Sequence, residues 1–221
     1  FLINVTKERN FSFGVWKNRQ HVMFNIKGGH HIGWGETKVS NNQLNFDLAQ
    51  WSTAFKNLKG MKLGKSIKEV RNQFFTSQWR PTITEGLLMT LYDLMGKIVN
   101  QPTVKIWGLE GQAPVPAIFC ILEKEEEMVV KQAQIAIDQN MHRYVKIKMF
   151  GDFEQDKKNI GALREFLGPD SFILGDPNRG YKYIKDLNKL SKIMIALHEA
   201  GMDGVEDPSS LNKEELIYLQ A

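Results

Sequence analysis

From Pro114 onwards the sequence alternates short apolar segments with longer amphipathic ones, and this alternation limits the possible folds more than any other feature. The apolar segments predict strands, at residues 115–122, 144–150, 172–175 and 203–206. Each is followed by a predicted helix, at residues 126–140, 156–167, 183–200 and 213–220. Strands that lead into helices in this way pair in parallel, as in a doubly wound sheet or a (β/α)8 barrel. Because a complete barrel needs about 250 residues, we expect an α/β architecture with about half of a barrel, strands 1 to 4.

The preceding part of the chain has a different pattern and predicts an α+β domain. Apolar side chains recur at every second position in residues 22–26, which is the period of a half-buried strand. A Gly-Gly turn then leads to a returning strand at residues 32–36, which indicates an antiparallel pair. We therefore divide the chain into an N-terminal α+β domain, residues 1–112, and a partial barrel, residues 113–221.

Two helices are predicted within the N-terminal domain. Ser66 and Glu69 have the spacing of a capping box, which predicts that a helix begins at Ser66. Apolar residues at three- and four-residue steps predict a second helix at residues 85–99, with Pro102 just beyond its end.

Composition excludes several classes of protein. With 42% hydrophobic and 24% charged residues, the chain of 221 residues can bury a core. No 18 apolar residues run together, so we expect no membrane span. The net charge of +4 is spread along the chain without a dense basic block, which argues against nucleic acid as a partner. The single cysteine, Cys120, allows no internal disulfide and fits a cytoplasmic protein.

The segment at residues 144–150 carries charge where a parallel sheet is normally apolar. Val145, Ile147 and Met149 share one face of this strand, and Lys146 and Lys148 share the other. Two lysines on a covered face are costly unless other groups compensate them. On its own, a Lys-Ile-Lys segment is more often a solvated strand edge.

Carboxylates follow at the ends of the next two strands. Asp176 and Glu206 lie one and two βα units beyond Lys148, so the three side chains should be neighbours at one rim. Two carboxylates at neighbouring strand ends suit Mg²⁺, and the charge of Lys146 should lower the pKa of Lys148 towards that of a general base. Together these groups could remove a proton next to a carboxylate. Taken singly, Asp-Pro-Asn and Glu-Asp-Pro are most often turns or helix caps.

Five ordered motifs resemble those of the enolase superfamily, specifically its mandelate racemase/muconate lactonizing group. They are Gly33-Trp34-Gly35-Glu36, Leu91-Tyr92-Asp93-Leu94-Met95-Gly96-Lys97, Lys146-Ile147-Lys148, Asp176-Pro177-Asn178 and Val205-Glu206-Asp207-Pro208. The second is similar to a "W-D-L-x-G-K" pattern with tyrosine in place of tryptophan, and the resemblance covers essentially the whole chain. It implies an N-terminal capping domain followed by a modified TIM barrel.

The resemblance also implies roles for individual residues. Lys148 would be the acid/base and Lys146 its electrostatic partner, while Asp176 and Glu206 would be ligands of Mg²⁺ and Asn178 a polar neighbour of the metal or substrate. The implied first step removes the proton α to the carboxylate of a small substrate and gives a metal-stabilised enediolate. Racemisation, epimerisation, cycloisomerisation or dehydration would follow. A homo-oligomer is the expected assembly.

In the group that the chain resembles, loops of the capping domain close the site and select the substrate. Here these loops would be residues 13–19 and 39–47, with Trp16 and Arg19 as substrate contacts.

The sequence stops at Ala221, before the fifth strand, on which the group has a third acidic ligand. A second acid/base would lie on a later strand. We expect the chain to be part of a longer protein. The alternative is a truncated, non-catalytic half-barrel fragment that persists by association with another chain. A phosphate-binding βα protein is a third possibility, although no Gly-rich phosphate loop supports it.

Overall fold

In a computed structural model, the chain forms two structural units. The structure describes residues 2–12, 14–41, 52, 56, 58–75, 81–109, 111 and 115–220. One unit comprises Phe1–Lys7 and Lys17–Ala113, and the other comprises Glu8–Trp16 and Pro114–Ala221. No helix among the described residues is both long and apolar enough to span a membrane.

The N-terminal part of the chain combines a sheet with helices. Strands β1 (Leu2–Phe11), β2 (Gly14–Gly28) and β3 (His31–Asn41) form the sheet in that order. The helices are α1 (Leu63–Phe75), α2 (Pro81–Val99) and the short α3 (Thr103–Ile106). Strands β2 and β3 are antiparallel, with Gly28 opposite His31. The predicted antiparallel pair is therefore confirmed.

Helix α2 packs closely on β3, and two glycines make that contact possible. A Cβ at Gly33 would collide with the carbonyl oxygen of Thr90, and a Cβ at Gly35 with that of Gly86. Buried apolar side chains complete this core, including those of Phe24, Val70, Leu87 and Leu91. The glycines of the Gly33–Glu36 motif thus allow the sheet to reach the helix backbone.

Both predicted helices of this part begin earlier in the chain than expected. Helix α1 begins at Leu63, and Ser66 lies inside it, where its hydroxyl donates back to the carbonyl of Lys62 at 3.4 Å. The capping-box prediction at Ser66 is wrong because Leu63 also packs against the core, so the helix extends one turn further back. Helix α2 begins at Pro81 rather than at residue 85, since proline at a first helical position needs no hydrogen-bond partner for its nitrogen.

The C-terminal part is a parallel sheet with a helix after each strand. Its strands are β4 (Phe119–Ile121), β5 (Tyr144–Lys148), β6 (Phe172–Asp176) and β7 (Gly204–Val205), hydrogen-bonded in that order. Its helices are α4 (Glu126–Asp138), α5 (Phe153–Leu167), α6 (Leu187–Glu199) and α7 (Lys213–Gln220). All the strand pairs are parallel. The predicted α/β fold class, with four parallel strands that each lead into a helix, is confirmed.

One face of this sheet is covered by the helices. Val145, Ile147, Met149 and Ile173 are buried in a core that helices α4, α5 and α6 complete. The other face carries Lys146 and Lys148, as the alternation of the strand predicts.

The first strand of the sheet is shorter than predicted. Strand β4 covers only Phe119–Ile121, and Val115 is 91% exposed, so the prediction of a strand from residue 115 is wrong. Strand β4 pairs with β5 along those three residues, and no second neighbour is seen among the described residues to extend it.

Candidate active site

The predicted acid, base and ligand residues meet at the carboxyl-terminal edge of the parallel sheet. Lys148 and Asp176 are the last residues of β5 and β6 and lie side by side in the register. Glu206 directly follows β7, and its backbone N–H donates to the carbonyl of Gly175 at 2.9 Å. The carboxyl-terminal edge is where the sites of parallel βα folds are built.

Lys148 is almost completely enclosed, with 4% of its surface exposed. Its ammonium donates to Oδ2 of Asp176 at 3.0 Å and to Oδ1 of Asn178. The ring of Phe11 lies over it, with the centroid 5.1 Å from Nζ. Lys148 therefore does not lie at a solvated strand edge, which was the alternative interpretation of this segment.

The pKa of Lys148 lies below its usual value of 10.5, and burial is the main cause. The hydrogen bond to Asp176 opposes this shift, and the positive charge of Lys146 adds a smaller lowering effect. The direction agrees with the prediction from the sequence, and the predicted cause, the charge of Lys146, contributes but is not the main one. Removal from water lowers this pKa more than the neighbouring lysine does, because an enclosed ammonium loses its hydration.

Lys146 joins the two predicted metal ligands. Its Nζ lies 2.8 Å from Oδ2 of Asp176 and 2.8 Å from Oε2 of Glu206. Partial burial lowers its pKa, but the hydrogen bonds to both carboxylates outweigh burial and raise the pKa above 10.5. The closest charged partners of Lys146 are thus the carboxylates rather than Lys148.

Every oxygen of the Asp176 carboxylate is engaged. Oδ2 accepts from both lysines, and Oδ1 accepts from the backbone N–H of Asn178 at 2.9 Å and from its side-chain amide at 2.6 Å. Burial alone would raise the pKa of Asp176, but the hydrogen bonds from Lys146 and Lys148 hold it below 3.8. Asp176 is therefore ionised at neutral pH.

The arrangement of the carboxylates fits a divalent cation. The ammonium of Lys146 lies between an oxygen of Asp176 and an oxygen of Glu206, so this position accommodates a positive charge. Carboxylate oxygens are the hard donors that Mg²⁺ prefers. Within the part of the chain that the structure describes, no group of three or more His, Cys, Asp or Glu side chains could hold a metal ion. Asp176 and Glu206 would therefore supply two of the ligands that such a site needs, as the sequence predicts.

Residues near the N-terminus also reach this edge of the sheet. Ser12 Oγ donates to the carbonyl of Pro177 at 2.7 Å and to that of Asn178 at 3.1 Å. Phe11 is the last residue of β1, and Ser12 follows it at the turn towards β2. Neither residue was predicted from the sequence, because their partners lie far away in the chain (165 positions for Ser12 and Pro177) and no local pattern marks the pairing.

The two predicted substrate-binding loops are largely strands. Residues 14–19 belong to β2 and residues 39–41 to β3, so the prediction of loops is wrong at these positions. The β2–β3 ladder extends as far as the pairs Gln20–Ser40 and Arg19–Asn41, so the ends of both predicted loops that border it are paired strand. Phe13 and residues 42–47 lie outside the described residues, as do the side chains of Trp16 and Arg19 on β2.

Two curated proteins show similarity to the chain, although no protein family model matches it. The L-Lys-D/L-Arg epimerase of Methylococcus capsulatus is 28% identical over 129 residues, which are 58% of this chain and 34% of that protein. The N-succinyl-L-Arg/Lys racemase of Bacillus cereus is 27% identical over 128 residues, again 58% of this chain and 34% of that protein. The match thus spans about a third of the length of these relatives.

Solved structures extend the likeness to nearly the whole chain. A dipeptide epimerase from Enterococcus faecalis, complexed with Mg and the dipeptide L-Leu-L-Tyr, has a TM-score of 0.80 at 20% identity, covering 99% of this chain and 62% of its own. A mandelate racemase/muconate lactonizing enzyme-like protein from Rubrobacter xylanophilus has a TM-score of 0.79 at 18% identity, covering 99% and 61%. An enolase from Bradyrhizobium, complexed with magnesium and mandelic acid, has a TM-score of 0.78 at 20% identity, covering 94% and 58%.

These comparisons confirm the resemblance and the fold. The chain has an enolase-type fold that spans about three fifths of the length of these solved structures, which agrees with an α+β part followed by half of a barrel. At these levels of identity, the likeness to solved structures establishes the fold alone.

Proposed function

We propose that the chain carries part of an active site that removes the proton α to the carboxylate of a small substrate, with Lys148 as the base. One observation carries the proposal: at the carboxyl-terminal edge of the sheet, a nearly enclosed lysine contacts a carboxylate that a second lysine links to another carboxylate. The relatives described above, an epimerase and a racemase, support the same general reaction.

Lys148 has the properties that a base requires. Only the neutral amine can accept a proton, and burial favours the neutral form. Asp176 and Asn178 both accept from its Nζ, so they hold the nitrogen in one place before the substrate binds. A fixed base loses little entropy when it meets the reacting carbon.

Asp176 and Glu206 are the residues that would hold magnesium. Several solved neighbours contain it, and when bound it would supply positive charge next to the substrate carboxylate, where negative charge develops. Lys146 already lies between the same two carboxylates and adds positive charge there. Asn178 would orient Asp176 through its two bonds to Oδ1.

Racemisation or epimerisation is the outcome that the relatives favour over cycloisomerisation or dehydration. Their names refer to lysine and arginine or to N-succinyl derivatives of them, and one solved neighbour is complexed with a dipeptide. We therefore propose an acylated amino acid or a dipeptide as the class of substrate. The alternative of a non-catalytic fragment gains no support from relatives that are enzymes.

Further expectations from the sequence belong to the same proposal. They are a capping role for residues 1–112, substrate contacts from Trp16 and Arg19, and assembly as a homo-oligomer. A third acidic ligand and a second acid/base would complete such a site.

The test is exchange of the substrate α-proton with solvent. The protein is incubated in deuterated water with N-acyl amino acids and dipeptides, with Mg²⁺ and with a chelator, and deuterium at the α-carbon is followed by NMR. We expect Mg²⁺-dependent exchange for at least one of these compounds, and loss of optical purity when a second acid/base is present to return the proton to the opposite face. Exchange that is equally fast with the chelator would contradict the role of the metal, and exchange without inversion in the presence of that second group would contradict racemisation.

A further inference from the structure

The loops that follow β5 and β6 are tied together by a buried carboxylate. Asp156, in the first turn of α5, is 1% exposed. Its Oδ1 accepts the backbone N–H of Phe150 at 2.9 Å, and its Oδ2 accepts the N–H of Gly151 at 3.0 Å and the hydroxyl of Tyr181 at 2.8 Å. Phe150 and Gly151 follow closely after the strand that ends in Lys148, and Tyr181 lies in the loop that begins after Asp176.

The same two loops also touch through their backbones. Gly151 has a φ of +78°, and a Cβ there would collide with the carbonyl of Gly180. The N–H of Met149 donates to the carbonyl of Asp176 at 3.0 Å, and within the loop after β6 the N–H of Gly180 donates to the carbonyl of Pro177 at 2.8 Å. The contact at Gly151 leaves no room for a side chain, so the loops can approach this closely only at glycine.

The loop after β7 joins this network. Arg179 donates its backbone N–H to the carbonyl of Asp207 at 2.6 Å, and Tyr181 donates its own to that of Pro208 at 3.2 Å. Tyr181 is fully buried and therefore lies at the junction of all three loops. Lys148, Asp176 and Glu206 each lie at the start of one of these loops.

We propose that Asp156 is a positioning residue, which holds Lys148 against Asp176 by fixing the loops that follow them. The importance of this role rests on the proposed function of Lys148. The Asp156 carboxylate accepts from two backbone N–H groups and a phenol, and these three bonds offset part of the cost of burying it. Without an acceptor, the N–H groups of Phe150 and Gly151 are left unpaired in the interior, which favours rearrangement of the loop.

Chemical labelling of lysine amines tests the proposal without requiring enzyme activity. The protein is treated with a low concentration of acetic anhydride, and acetylation of Lys148 is compared with that of exposed Lys131 by peptide mass spectrometry. In Asp156→Asn, we expect the ratio of the Lys148 rate to the Lys131 rate to rise about fivefold, the effect of losing about one buried hydrogen bond. Tyr181→Phe removes one bond and leaves the two N–H bonds, so its ratio should rise less.

A matched control separates positioning from general loss of stability. Leu163 is fully buried on the same helix and packs in the hydrophobic core of the C-terminal part. Leu163→Ala should lower the melting temperature and leave the labelling ratio at its wild-type value. The proposal is wrong if the ratio is unchanged in Asp156→Asn, or if Leu163→Ala raises it equally. If Asp156→Asn does not fold, the labelling ratio of Tyr181→Phe is compared with that of Leu163→Ala instead. An unchanged ratio in Tyr181→Phe would then contradict the proposal.

Labelling of the wild-type protein with Mg²⁺ tests the proposed function separately. Binding between Asp176 and Glu206 would change the surroundings of Lys148 and hence its labelling rate. If Mg²⁺ has no effect, the proposed metal site is contradicted, whereas the comparison of variants still decides the role of Asp156.

Discussion

Lys148 and Asp176 are 28 positions apart in the chain, yet Nζ of the lysine lies 3.0 Å from Oδ2 of the aspartate. The parallel register of β5 and β6 places them side by side as the last residues of their strands. Burial favours a neutral amine in Lys148, while its hydrogen bond to Asp176 favours the ammonium, and burial has the larger effect. This opposition suits a residue that must both release and accept a proton.

Substitution of Asp176 should weaken binding of the metal. In Asp176→Asn we expect the Mg²⁺ dissociation constant to rise by at least about tenfold, since one of two carboxylate ligands is lost. Isothermal titration calorimetry measures the change. Asp138→Asn, on the surface of α4, should bind Mg²⁺ as the wild type does. Equal affinity in Asp176→Asn would refute the role of Asp176 as a ligand.

Two glycines close together in the chain should respond in opposite ways to alanine. Gly151→Ala should lower the free energy of unfolding by about 1 to 3 kcal/mol, because φ is +78° and the new Cβ meets the loop after β6. Gly161 lies within α5, where a Cβ would meet no atom within 4 Å, so Gly161→Ala should raise stability by up to about 1 kcal/mol. Urea unfolding followed by circular dichroism compares them, and equal stability of the two variants would contradict the predicted contact at Gly151.

Stability should depend on pH through Asp156. Burial raises the pKa of this carboxyl above 3.8 despite its three hydrogen-bond donors. The folded protein therefore binds this proton more tightly than the unfolded chain does, and the stability gained from it is lost as pH rises from 3.8 through the folded pKa. Asp156→Asn cannot titrate at this position. We therefore compare the free energy of unfolding of the wild type with that of the variant. The difference, wild type minus variant, should fall as pH rises from 3.8 through the folded pKa, and a rise would show that the pKa is lowered instead.

The sequence predicted where the candidate residues lie in the fold better than it predicted which of them contact each other. Strand alternation was enough to place Lys146 and Lys148 on one face, and the spacing of the βα units was enough to place Asp176 and Glu206 at the same edge. The bridging position of Lys146 could not be predicted, because it depends on the reach of a flexible side chain rather than on the strand period.

Contacts between residues far apart in the chain could not be predicted from the sequence either. Phe11 and Ser12 contact the site from the opposite end of the chain, and Asp156 was predicted only as the first residue of a helix. Its acceptor role depends on where two loops pass each other, which no local pattern specifies. The loop prediction at residues 14–19 was taken from the resemblance rather than from a local pattern, and it failed because β2 begins at Gly14.

The most direct test of the central claim is deuterium exchange at the substrate α-carbon in Lys148→Ala. Any compound that the wild-type protein exchanges in the presence of Mg²⁺ serves as the probe, and Lys131→Ala is the control for loss of a surface lysine. We predict that exchange falls by at least about a hundredfold in Lys148→Ala, as expected for loss of a general base, with Mg²⁺ affinity retained. Exchange at the wild-type rate in Lys148→Ala would contradict the assignment of Lys148 as the base.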